Sequence, residues 1–150
     1  MIYREYLNFD TVKRFTDITE QVKGVVDRSG IHNGVCSVFS CHTTCGVKIL
    51  ENELLSLADI MTFLEKTVPE GDGVVYQHDR IGLRNVPVDE RVNAASHVRM
   101  LFFPSSESIP LVDGGLLLGC WQTVFLVEMD YGVPFRSRRL CVTVTGEGVC

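Results

Sequence analysis

The chain has 150 residues, 45% of them hydrophobic and 22% charged, which suits one globular domain with a sizeable core and excludes a disordered polymer. A formal charge of -5 at pH 7 and a pI near 5.3 favour solubility and argue against nonspecific attraction to nucleic acid or anionic lipid. The opening MIYREYLNFD lacks the basic segment and apolar run of a signal peptide, and no stretch reaches the roughly 18 apolar residues of a membrane span, so the expected location is the cytoplasm.

In chain order, DITEQVKGVVDRSG reads as a first helix. Asp17 is the expected N-cap, with Glu20 three residues on in a capping box. Ile18, Val22, Val25 and Val26 share one helical face, and Gly30 ends the helix. Asn33-Gly34 reads as a turn, with His32 exposed beside it. The run VCSVFSCHTT then reads as a strand, with Cys36, Val38, Ser40 and His42 on one side and Val35, Ser37, Phe39 and Cys41 on the other.

A second helix is expected from Asn52 to Thr67, stopped by Pro69 and Gly71. Its stripe of Leu54, Leu57, Ala58, Met61 and Leu64 is most simply core. From Glu70 to Asn93 the chain is polar and rich in Gly and Pro, as functional loops are. Asp89 to Ala95 is expected as a short helix leading to His97. HVRMLFF, the hairpin IPLVDGGLLLGC with Asp113-Gly114 at its turn, WQTVFLVEMD and RRLCVTVTGE complete the list as strands. Two helices placed early and long strands afterwards predict an α+β fold, a single domain of antiparallel β-sheets packed with two main helices.

There are six cysteines: Cys36, Cys41, Cys45, Cys120, Cys141 and Cys150. With no secretory signal they are expected to be reduced, and Cys36, Cys120 and Cys141 to act as small hydrophobes within apolar runs. No CxxC pair occurs, so a thiol-only zinc site is not expected.

Three of the four histidines stand at suggestive places: His42 at a strand end, His78 in the polar loop and His97 at a strand start. Imidazole both ligates metals and titrates near neutrality. Three of them with an open position would form a catalytic zinc-type site, although separations of 36 and 19 residues match no ligand motif. Thr43 and Thr44, followed by Cys45-Gly46, either present donors to an anion or form a hydroxyl-rich strand terminus. Arg136, Arg138 and Arg139 are either a solvated strand end or a small anion site. Glu53 is expected at the head of the second helix for its dipole. Glu51 is either similar or folded back toward His42. Glu128 is either an outward strand residue or a buried acid paired with Arg138. Cys41 and Cys45, bracketing His42, leave a thiol nucleophile open.

The blocks HTTCGVKILENE, VPEGDGVVYQHD, VNAASHVRMLFFPSS, PLVDGGLLLGCWQTVFLVEMD and RSRRLCVTVTGE, in this order from Asp17 to Glu147, resemble the YjbQ-like family, the so-called secondary thiamine-phosphate synthases. The resemblance implies an α+β fold assembled as a homotrimer. It implies a site in which His42, His78 and His97 hold a divalent metal, zinc in the first instance, with Glu51 and Asn93 joining them in catalysis. It matches Gly119, Trp121 and Gln122 to the family's Gly-x-Trp-Gln block and Glu128 to its later acid, and places Trp121, Gln122 and Arg138 on the substrate side, where Thr43 and Thr44 supply donors. Cys41 and Cys45 depart from the family pattern, and Gly82 to Val88 matches it loosely.

The function expected on this basis is metal-assisted transfer on a small phosphorylated or diphosphorylated molecule, with secondary thiamine-phosphate synthase activity. The alternatives are a metal-dependent hydrolase in which Glu51 takes a proton from metal-bound water, and a metal- or ligand-binding protein without turnover. No nucleic-acid or membrane partner is expected.

Overall fold

The computed structural model describes residues 1–10, 13–71, 73–132 and 137–148. Arg136 and Cys150, singled out in the sequence, lie outside the described residues. Among the described residues, eight strands form two antiparallel sheets: β1 (Ile2–Phe9), β2 (Phe15–Asp17), β3 (Ile31–Ser40), β4 (Cys45–Glu51), β5 (Ser106–Val112), β6 (Gly115–Leu116), β7 (Gln122–Glu128) and β8 (Arg138–Gly148). Five strands run in the order β1-β8-β3-β5-β6, and three in the order β2-β7-β4. With the helices α1 (Thr19–Ser29), α2 (Leu54–Thr67) and α3 (Ala94–Arg99), they make the expected α+β domain.

Alternation decides which face of each strand is inside. On β3, Cys36, Val38 and Ser40 are buried while Val35 and Phe39 are exposed, as their period-two spacing predicts. Leu140, Val142 and Val144 of β8 join them, and α1 adds Val22, Val25 and Val26. Val124 and Leu126 of β7 close this core from the second sheet. The other face of β7 carries Phe125 and Val127, which pack with Leu64 of α2 and with Phe103 in a second core. β7 is therefore covered on both sides, which explains why VFLV reads as a continuous apolar run.

Several expected boundaries move. Asp17 accepts the Thr19 N–H at 2.9 Å, but Ile18 is the N-cap residue and α1 begins one position later than read. Asn33-Gly34 is no turn; it lies inside β3, paired with β8. A Cβ at Gly34 would come within 2.0 Å of the Thr145 carbonyl oxygen, so glycine is required by the approach of β8. The second helix starts at Leu54, with Glu53 as its cap. Leu54 is 82% exposed, outside the core stripe, whereas Leu57, Ile60 and Met61 pack partly against the second core.

Asp89 to Ala95 and HVRMLFF are redistributed. The helix is α3, followed by a 3₁₀ turn at Met100–Phe102, and His97 is helical. Ser96 Oγ donates to the Met129 carbonyl at 3.0 Å, and the buried Arg99 donates through Nε to the Val68 carbonyl at 3.1 Å. These anchors favour a helix over an apolar strand. The Asp113-Gly114 hairpin forms as predicted, both residues having positive φ, 50° and 81°. Among the described residues no helix is long and apolar enough to cross a membrane.

Candidate functional site

The site lies where the chain twice passes between the sheets. Residues 41–44 lead from the end of β3 to the start of β4, and the chain leaves β7 and enters β8 at the same end. The registers require this, since Ser40 faces Leu140 and Cys45 faces Glu128. The Cys41 N–H donates to the Arg139 carbonyl at 3.2 Å, and the Met129 N–H to the Thr44 carbonyl at 3.0 Å, tying the two passages together. α3 lies beside them, and a 3₁₀ turn at Gln77–Asp79 brings the polar loop across.

Here a cleft of about 310 Å³ is lined by His42, Thr43, Thr44, His78, Asn93, His97 and Arg138, and by Arg84 and Glu90. His78 and His97 meet edge to face with ring centroids 4.7 Å apart. Asp79, next to His78, accepts the Ala94 N–H at 2.9 Å, so one carboxylate fixes the His78 turn to the start of the His97 helix. His42 is held differently. Its Nε2 accepts the Arg139 backbone N–H at 2.8 Å, which consumes that lone pair and leaves the proton of the neutral ring on Nδ1.

Beneath the cleft lies a buried charged layer. Glu128 and Arg138 form an ion pair, with Glu128 also accepting the Asp130 N–H at 2.8 Å. Arg138 Nη2 donates to Thr44 Oγ1 at 3.2 Å; because that hydroxyl oxygen accepts from below, its own hydrogen is available to donate. Of the two readings of Glu128, the buried paired acid is correct. Asp130 holds Asn93 through Oδ2 at 3.0 Å and Arg91 through Oδ1 at 2.9 Å.

A scan against protein-family models matches residues 5–147 to the UPF0047 protein YjbQ-like model. The chain belongs to this family. It is 38% identical to a UPF0047 protein of Methanothermobacter thermautotrophicus over 97% of this chain and 94% of the relative. It is 36% identical to a UPF0047 protein of Synechocystis over 90% and 85%. Among solved structures, a YbjQ-like protein of unknown function from Sulfolobus solfataricus has a TM-score of 0.80 at 31% identity, covering 98% of this chain and 99% of that one. A hypothetical protein of Aeropyrum pernix has a TM-score of 0.78 at 31% identity, covering 97% and 99%.

Fold and family therefore agree with the resemblance, but the metal centre does not. Among the described residues of this UPF0047 protein, no group of three or more His, Cys, Asp or Glu side chains could hold a metal ion. This overturns the divalent metal or zinc on His42, His78 and His97. It also overturns the metal-assisted enzyme, the metal-dependent hydrolase and the metal-binding protein built on it. The physical reason is visible at His42, whose Nε2 serves a backbone N–H while His78 and His97 pack against each other.

The remaining expected residues divide between two ends of the three-stranded sheet. Glu51 pairs with Gln122 at the far end of β4 and β7, the length of a strand from Cys45 and Glu128. The Gln122 side chain accepts the Gly119 N–H at 2.8 Å, closing its own turn, and Trp121 is 74% exposed. Within one chain these three do not meet the histidine cleft.

Arg84, Glu90, Asp130 and Arg91 went unread in the sequence. The first two sit in or beside the loosely matched loop, and no periodicity marks any of them. Of the cysteines, Cys36 and Cys45 are buried, and burial pushes the Cys36 thiol up to about 11. Cys120 is exposed, against expectation; Cys41, for which no burial was expected, is exposed too.

Proposed function

We propose that the cleft binds a small phosphorylated molecule without a metal and that His78 and His97 move protons at it. The observation that supports this is the edge contact of the two imidazoles inside a space where Arg84, Thr43 and Thr44 also place N–H and O–H donors. Such donors suit phosphate oxygens, which accept only. Buried Arg138 lines the same cleft and also aims Thr44. A protonated imidazole would pass its proton to a departing phosphate or pyrophosphate oxygen, and where the attacking group is an O–H or N–H its neighbour would receive that proton. Transfer of the kind the family resemblance implies would use only the donor imidazole: the bond from a benzylic-like carbon to pyrophosphate breaks, the proton goes to the leaving oxygen, and a ring nitrogen of the second substrate forms the new bond to that carbon. Asn93 then orients the bound molecule.

Calorimetric titration of pyrophosphate into chelator-treated protein tests this reading. Saturable binding is expected, weakened about tenfold or more in Arg84→Ala and His97→Gln, each tenfold being ~1.4 kcal/mol. Absence of binding, binding only after a divalent cation is added, or wild-type affinity in both variants would sink it.

The same reading includes self-association as a homotrimer. Its support is the set of exposed large apolar side chains on α2 and the turn after α3: Leu54, Leu55, Phe63, Leu101 and Phe102. Phe63 and Phe102 meet edge to face at 5.4 Å and are still 52% and 44% exposed.

A further inference from the structure

A second cavity, about 400 Å³, adjoins the histidine cleft and shares Asn93 with it. The two differ in chemistry. The second is walled by Val74, Val92 and the ring of Tyr76, whose hydroxyl is spent on the Pro69 carbonyl at 2.7 Å. Its charged lining residues are Glu70 and Asp79, and none of its described lining residues is basic.

Asn93 decides what the junction recognises. It is only 9% exposed, and its Nδ2 donates to the buried Asp130, which Arg91 also holds. The amide orientation is thus fixed, and Oδ1 is left as an acceptor with no hydrogen-bond partner among the described residues. Asp79 adds to this. One of its oxygens accepts the Ala94 N–H, and the other has no partner among the described residues. An acceptor set beside a carboxylate favours a donor from the ligand, and a positively charged one fits best.

We propose that the two cavities form one elongated site for a phosphorylated amine. Its phosphate lies against the imidazoles, its carbon skeleton along Val74, Tyr76 and Val92, and its ammonium or N–H group at Asn93 Oδ1 and Asp79. This rests on the phosphate reading of the cleft and adds what the rest of the ligand is.

The test compares aminoalkyl phosphates of increasing chain length with alkyl phosphates of matching length, by calorimetric titration. The amine series is expected to bind about tenfold or more tightly at its best length. Asp79→Asn should remove that preference, the amine series losing about tenfold or more relative to the alkyl series. Asparagine keeps an oxygen for the Ala94 N–H, so α3 stays in place, as circular dichroism would check. Equal affinity of both series in the wild-type protein overturns the inference and leaves the phosphate reading standing. Failure of both series to bind overturns the two together. A preference that survives both Asp79→Asn and Asn93→Ala overturns the placement of the amine.

Discussion

Arg138 is almost wholly buried, and its guanidinium is committed to Glu128 and Thr44 before any ligand arrives. Removing it would leave the Glu128 carboxylate buried without its counter-charge. Arg138→Ala is therefore expected to lower unfolding free energy by about 3–5 kcal/mol in urea titrations, and a paired Glu128→Leu, Arg138→Leu replacement to recover much of the loss. No loss in the single variant would contradict the pairing. At this scale the sequence was informative about residue types and silent about their couplings. His42, His78 and His97 could be picked out because few histidines occur, and they do share one cleft. What spacing could not reveal is that a backbone N–H from β8 would claim His42 Nε2. Asp130 and Arg91 were missed for a similar reason, since their importance lies in long-range contacts with Asn93 and with each other.

At the scale of elements, α2 shows how a cap replaces a capping box. Glu53 accepts the N–H groups of Leu55 and Ser56, both at 2.8 Å, and these hydrogen bonds, Leu55 first, hold its carboxyl below the ordinary 4.5. A carboxylate whose folded pKa is lowered stabilises the fold above its ordinary pKa and loses that contribution as pH falls through the lowered one. The melting temperature of the wild type should therefore exceed that of Glu53→Gln at neutral pH. The difference should shrink below about pH 4.5. A difference that does not change with pH would show that the charge contributes nothing. Helix faces and strand alternation were legible because periodicity is local, as β3 and α1 demonstrate. HVRMLFF was not. Its β-branched and aromatic content suits a strand, but Ser96 and Arg99 find their partners in Met129 and Val68, far away in sequence.

For the whole molecule, the α+β class followed from the order of helices and strands, whereas the division into two sheets did not. β1, β2 and β4 escaped notice because each is completed by a distant partner, β8 for the first and β7 for the others. The expected assembly belongs to this scale too. Light scattering coupled to size exclusion should give three times the 16.8 kDa chain mass. Replacing Leu54 and Phe102 with Lys should reduce it to one chain with the fold retained; a monomeric wild type would end the trimer reading.

The two passages between the sheets have a mechanical consequence. Thr44 and His42 arrive from one, Arg138 and Asp130 border the other, and hydrogen bonds join them. On the phosphate-binding reading, a molecule seated above them would be a rivet through both layers. The work of prising the sheets apart would then fall on the ligand as well as on the core, and occupancy would stiffen strands that never touch it.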